Sequence, residues 1–246
     1  MNYLLRPLFI IIFSSLFCHI TVYAETVYPS PNNDYVNDFA NIVHPTDKSN
    51  LLRQLETVEE QTGIEIVVVT INAMADYGYT GTTIEPFATD FFNTWGVGHK
   101  ETNDGIMILV SKQDRKVRIE LGLGYSSKYN GLMKDVIDEK MLPFFKTGDY
   151  SRGIYEGTQA VINNVTKQVS WFYFYRWELG LTALAILCIG AAISCMRSGK
   201  KGWGWIFFTI AGFLILIVIK LLLSGNKKRG GFGGGRSGGG GASGSW

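Results

Sequence analysis

The sequence predicts an α/β chain: a three-layer α/β/α sandwich with a central mixed sheet, followed by a transmembrane helical hairpin. Three observations carry that reading. Between residues 46 and 169, segments with apolar residues at helical spacing are interleaved with short β-branched runs. Their order is helix, strand, helix, strand, strand, helix, helix, which is not a regular βαβ alternation, so a dinucleotide-binding fold is not expected. Four helices and three or four strands need helices on both faces of one sheet. Finally, Leu179–Met196 and Trp203–Leu223 are apolar segments long enough to span a bilayer, joined only by RSGKKG.

The elements follow in order. The run LFIIIFSSLFCHI, Leu8 to Ile20, follows Arg6 and precedes Val22-Tyr23-Ala24, a small-x-small cleavage pattern. Residues 1–24 therefore read as a secretory signal, and Cys18 makes no lipoprotein site because bulky Phe17 precedes it. After the turn-rich YPSPNNDYVNDFANIV, Leu51, Leu52, Leu55 and Val58 predict a helix over Thr46–Gln61, with Thr46 as N-cap and Gly63 as stop. Ile64–Ile71 is β-branched and nearly continuous, the pattern of a strand covered on both faces.

A second helix is expected over Ile84–Trp95, where Phe87, Ala88, Phe91, Phe92 and Trp95 recur at three and four. Gly105–Ser111 and Lys116–Leu121, separated by four polar residues, predict a β-hairpin with Asp114 in its turn. A third helix is expected over Leu132–Phe145, and a fourth from Ser151 to Val169. The resulting organisation is a signal (1–24), an extracytoplasmic domain (25–170), spans at 177–196 and 203–223, and a Gly-rich disordered tail (224–246).

Trp177, Trp203 and Trp205 fall where interfacial aromatics belong, and Lys220 sits where it can snorkel. A cleaved signal places Glu25–Arg176 outside the cytoplasm, with the turn bearing Arg197, Lys200 and Lys201 inside. The tail then falls outside, although Lys227, Lys228 and Arg229 run against the positive-inside rule, so its side stays open. The exported domain carries 14 Lys and Arg against 20 Asp and Glu. That acidic balance argues against nucleic acid as a partner. All three cysteines lie in the signal or the first span, so the domain has no disulfide and no thiolate metal site.

Asp104, Asp114 and Glu120, with Asp38 or Asp76, are candidate oxygen ligands for Ca²⁺ or Mg²⁺, but EF-hand spacing is absent and Asp beside Gly also makes turns. The glycines of WGVG follow a helix and precede a strand, the reverse of a phosphate loop. His44 and His99 are read as surface residues, and no GxSxG elbow is present. Arg115 and Arg118 are candidates for phosphate or for ion pairs with Asp114 and Glu120.

The stretches VNDFANIV (Val36 to Val43), IEPFATDFFNTWGVGHKETNDGIMILVSKQDRKVRIELGLG (Ile84 to Gly124) and LPFFKTGDYSRGI (Leu142 to Ile154) resemble the TPM domain family in order and spacing. The tail GGFGGGRSGGGGASGSW also resembles bacterial members. The resemblance implies an α/β/α domain on the far side of a membrane. Members range from a lumenal acid phosphatase to photosystem II repair factors and a receptor auxiliary subunit, so fold alone does not fix function. Carried over by position, the family's acidic cluster for metal and phosphate implies Asp38, Asp104 and Asp114, and in a phosphatase using them Arg115 is the candidate to orient phosphate. Where many members read GYGLE and a later Asp, this chain reads GLGYS, with Ser126 and Asn130 at those positions. Two neutral oxygens replacing carboxylates weaken a hard-cation site.

The expected function is therefore an interaction or auxiliary module, anchored in the lipid bilayer of a bacterial inner membrane and facing the periplasm or cell exterior, that serves a membrane protein complex. The alternative is a divalent-metal-assisted acid phosphatase. The terminal Trp246 suggests a contact that a bare linker does not need.

Overall fold

The computed structural model describes residues 26–166, 171–199, 201–223 and 232–246. The predicted signal 1–24 lies outside them, as do residues 167–170, Lys227, Lys228, Arg229 and the side chain of Trp177.

Five strands form one sheet in the order β1 (Val36–Asp38), β2 (Ile66–Ile71), β3 (Ile106–Ser111), β4 (Lys116–Leu121) and β5 (Gly240–Ser245). β1, β2 and β3 run parallel, whereas β4 is antiparallel to both β3 and β5. The sheet is mixed, as expected, and it has two strands that the sequence reading did not contain. β1 was hidden in the turn-rich segment. It is three residues long, and Asn37 within it spends its side chain on the N–H groups of Asn32 and Asn33.

Parallel neighbours need a crossover, and the chain uses a helix each time. α1 (Pro45–Thr62) joins β1 to β2, and α2 (Ile84–Trp95) joins β2 to β3. Successive side chains of a strand face opposite ways. Ile66, Val68, Ile106, Ile108, Val117 and Ile119 accordingly pack with Leu51 and Leu55 of α1. Val67, Val69, Met107 and Leu109 pack with Phe87, Phe91 and Phe92 of α2 on the other face. Every residue of β2 and β3 is buried, which is why both read as continuous apolar runs.

The helix bounds follow from local chemistry. α1 is capped at His44 rather than Thr46, because Pro45 opens the helix where its missing N–H costs nothing. Gly63 stops it in the left-handed region, as expected. The helix expected over Leu132–Phe145 begins earlier and is broken into α3 (Lys128–Val136), a π turn (Ile137–Met141) and α4 (Leu142–Lys146). Pro143 brings no N–H to return to residue 139, and the wider turn ahead of it absorbs that gap. α5 (Tyr150–Thr166) completes the layer on the α1 face.

α6 (Trp171–Arg197) and α7 (Lys201–Leu223) form the expected hairpin. Their most apolar windows, Leu179–Arg197 and Gly202–Lys220, are only 11% and 17% buried. Leu187, Trp205 and Phe213 stand exposed. A soluble core helix would cover such side chains, so these are two candidate membrane-spanning helices and not a buried pair.

The tail departs most from expectation. It was read as disordered because glycine and serine have no core to offer, yet residues 240–245 pair with β4 along its whole length, Lys116 opposite Ser245 and Leu121 opposite Gly240. The main chain supplies what the side chains lack. Were α6 and α7 both to cross a bilayer, a chain that leaves the domain through α6 and returns as β5 would have both ends of its hairpin on one side. A Cys placed at Ser245 is thus expected to react with an impermeant reagent from the same side as one placed at Gln113 in the exposed β3–β4 turn. Labelling from opposite sides would break the β4–β5 pairing.

Candidate functional site: the β4 groove and its C-terminal strand

Asp38, Asp104 and Asp114, the three residues the resemblance assigns to a metal, each accept hydrogen bonds from neighbouring protein groups. Asp38, ending β1, accepts the hydroxyl of Thr70 at 2.5 Å and the N–H groups of Ile42 and Val43. Asp114, in the β3–β4 turn, accepts the Ser111 hydroxyl at 2.6 Å and the Met74 N–H at 2.8 Å. Asp104 takes the His99 N–H at 3.0 Å and the Thr102 hydroxyl at 2.6 Å, and its carboxylate lies 3.2 Å from the His99 ring. Asp38 and Asp114 sit at one end of the sheet and Asp104 at the other, separated by the length of β3, roughly 20 Å. Among the described residues no three His, Cys, Asp or Glu side chains group as a metal site would require. Arg115 is exposed with φ 51°; its N–H donates to the Lys112 carbonyl and its carbonyl accepts the Trp246 N–H.

Polar groups converge instead along β4. The alternation in KVRIEL sends Val117, Ile119 and Leu121 to the α1 face and Arg118 and Glu120 to the α2 face. Arg118 Nε lies 2.7 Å from Glu120 Oε2, with side chains 5% and 0% exposed. A buried ion pair holds only if its remaining donors and acceptors are satisfied. The tail does most of that. Arg118 donates to the carbonyls of Gly239 and Gly240, both at 2.9 Å, and to Ser243 Oγ at 3.2 Å. Glu120 Oε1 accepts the hydroxyls of Ser237 at 2.5 Å and, from α2, Thr89 at 2.8 Å. Ser243 also hydrogen-bonds Glu85, which lowers the Glu85 pKa below the ordinary value, aided by Arg118 and Lys116.

Asparagines line the rest of the groove. Asn93 exchanges two bonds with the Ser237 backbone, at 3.1 and 2.8 Å. Asn103 accepts the Arg236 N–H, and Asn130 accepts the Gly241 N–H, both at 2.8 Å. Asn130, one of the two neutral replacements noted in the sequence, thus has a tail-binding task. The Gly96 carbonyl receives the N–H groups of Gly234 and Gly235.

Two glycines are required by close approach. A Cβ on Gly235 would collide with the Val97 carbonyl oxygen, and one on Gly241, where φ is 120°, with that of Ile119. The groove is therefore closed to side chains at those positions. Aromatic anchors hold its ends. Phe232 stacks on Trp95 with ring centroids 5.2 Å apart. Trp246 lies 4.7 Å from Phe145 and 5.9 Å from Tyr150. Main-chain pairing with anchors at intervals is how an added β-strand is recognised.

Glu65 lies where the tail meets the loop after α2. It accepts the Gly98 N–H at 3.0 Å and also bonds the backbone of Gly233. Burial, reinforced by the charges of Glu59 and Asp104, pushes its pKa up to about 8 from an ordinary 4.5. The folded state then holds a proton that the unfolded chain releases, so stability is full below about 4.5 and is lost as pH rises towards about 8. Glu65→Gln is expected to remove that decline, leaving the variant more stable than the parent at pH 8, on the order of 3–5 kcal/mol. Chemical unfolding at pH 5 and pH 8 reads it; equal pH slopes in the two proteins would refute it.

Residues 36–164 match the family model of the TPM domain. The chain belongs to the TPM domain family. The TPM match spans β1 to β4 and nearly all of α5, so it supplies four strands, and β5 lies outside it beyond the hairpin. Among solved structures, the chain is similar to the N-terminal domain of a protein from P. gingivalis, with 26% identity, TM-score 0.46, and coverage of 53% of this chain and 81% of that one. It is also similar to the N-terminal domain of a protein from Corynebacterium glutamicum, with 14% identity, TM-score 0.43, and coverage of 61% and 93%. No curated protein matches.

Sequence reasoning had Arg118 as a phosphate ligand or the ion-pair partner of Glu120, had Glu120 also as a metal-ligand candidate, and gave Glu65, Asn93 and Ser237 no role. The alternation of KVRIEL already placed Arg118 and Glu120 together on one strand face. Nothing local pointed to the tail as their partner.

Proposed function

We propose that this TPM-domain protein is a membrane-anchored extracytoplasmic interaction module that serves the assembly or maintenance of a membrane protein complex. The observation that carries the reading is β5, because the domain takes its last strand from beyond the hairpin and is thereby fastened to both ends of its anchor. Such a domain is held against the bilayer, where a membrane partner is presented. The signal pattern at residues 1–24 and the basic turn with Arg197, Lys200 and Lys201 support an exported domain. Extraction of the full chain in mild detergent is expected to bring a membrane protein with it at stoichiometric yield. Recovery of the chain alone, across detergents that preserve β5, counts against the module.

The alternative acid phosphatase would need Asp38, Asp104 and Asp114 to act together, whereas β3 stands between Asp104 and the other two. Hydrolysis of a phosphomonoester that depends on Ca²⁺ or Mg²⁺ and is abolished by Asp114→Asn would favour it.

A further inference from the structure

We infer that the β4 groove is a receptor for a glycine-patterned C-terminal strand, and that a second copy of this chain supplies that strand in exchange with the chain's own. This rests on the interaction-module reading and gives that module its partner surface. Everything that holds residues 232–246 is non-covalent and belongs to that segment itself: the pairing with β4, the bonds to Arg118, Glu120, Asn93, Asn103 and Asn130, and the rings at each end. Nothing in these contacts depends on which copy the segment comes from.

What the tail covers explains why another strand must replace it. Its release leaves β4 as an open edge, with a buried ion pair stripped of its Gly239, Gly240, Ser237 and Ser243 partners. Between its two aromatic anchors the tail is held by main-chain pairing and polar contacts, its one apolar side chain buried in the core between Phe232 and Trp246 being Ala242. A vacated groove therefore binds a strand strongly, yet it refuses most strands, because side chains at the positions of Gly235 and Gly241 strike the carbonyls of Val97 and Ile119. The segment certain to pass that filter, and anchored in the same membrane, is the tail of a neighbouring copy. Exchange of an identical element is a low-cost route to self-association.

Disulfide trapping in full-length chains tests this. The Trp246 N–H bonds the Arg115 carbonyl, which makes Lys116 and Ser245 a pair without mutual hydrogen bonds, the kind in which side chains lie closest. In a background with Cys188 and Cys195 changed to Ala, Lys116→Cys and Ser245→Cys are placed on separately tagged copies, co-expressed and oxidised. A covalent dimer carrying both tags is expected, and Gly241→Val in the Ser245→Cys copy should reduce it at least tenfold. The control carries both cysteines in one chain. No crossed dimer, while the control closes within its own chain, overturns exchange; no product in either overturns the groove as well. A chain that co-purifies a membrane complex but gives no crossed dimer removes exchange and leaves the module reading standing.

Discussion

Ending the chain after Gly231 is expected to lower the thermal midpoint of the domain by about 6–20 °C. Three losses add up. β4 loses its pairing partner and becomes an exposed edge. Arg118 and Glu120 lose four hydrogen bonds to the tail, each worth about 1 kcal/mol net and more where a charge is involved. Trp246 no longer packs on Phe145 and Tyr150, a further loss of roughly 1–2 kcal/mol. A net loss on the order of 3–5 kcal/mol corresponds to about 6–20 °C, at about 2–4 °C per kcal/mol for a domain of this size. Gly241→Val should reproduce most of the effect with a single side chain, since its Cβ meets the Ile119 carbonyl. Thermal unfolding of the detergent-solubilised chain, followed by intrinsic fluorescence, is the measurement. A midpoint shift below about 2 °C for both variants would mean that β5 contributes nothing.

The second large effect is expected at the buried pair. Arg118→Met should cost about 3–5 kcal/mol, because it leaves Glu120 fully buried without its cation, facing only the hydroxyls of Thr89 and Ser237. Adding Glu120→Gln should recover part of that loss by removing the stranded charge. The coupling between the two sites in a double-mutant cycle is then several times the value for an exposed pair such as Lys134 and Asp138. Chemical unfolding of the four proteins gives the cycle. Simple additivity would contradict the ion pair as described.

The elements legible in the sequence were those whose chemistry is local. Phe87, Ala88, Phe91 and Phe92 announced α2, and its observed bounds coincide with the expected Ile84–Trp95. The unbroken β-branched run of β2 signalled a strand covered on both faces, and all six residues are buried. The tail was illegible for the complementary reason. Its glycines have no propensity for strand and no apolar alternation, and they form one only because Arg118, Asn93, Asn103 and Asn130, over a hundred residues away, meet its backbone. The acidic residues were ambiguous in a similar way. An Asp in a glycine-rich loop looks the same whether it holds a cation or caps a turn, and only the placement of Asp104 at the opposite end of β3 from Asp114 separates the two.

The C-terminal segment completes the sheet of the TPM domain as its fifth strand. Amide hydrogen exchange of the full chain in detergent or nanodiscs tests that most directly. Residues 240–245 should exchange as slowly as β4, and removal of residues 232–246 should speed the exchange of β4 itself. Exchange of the tail at the rate of an unstructured glycine-rich peptide, with β4 indifferent to its removal, would contradict it.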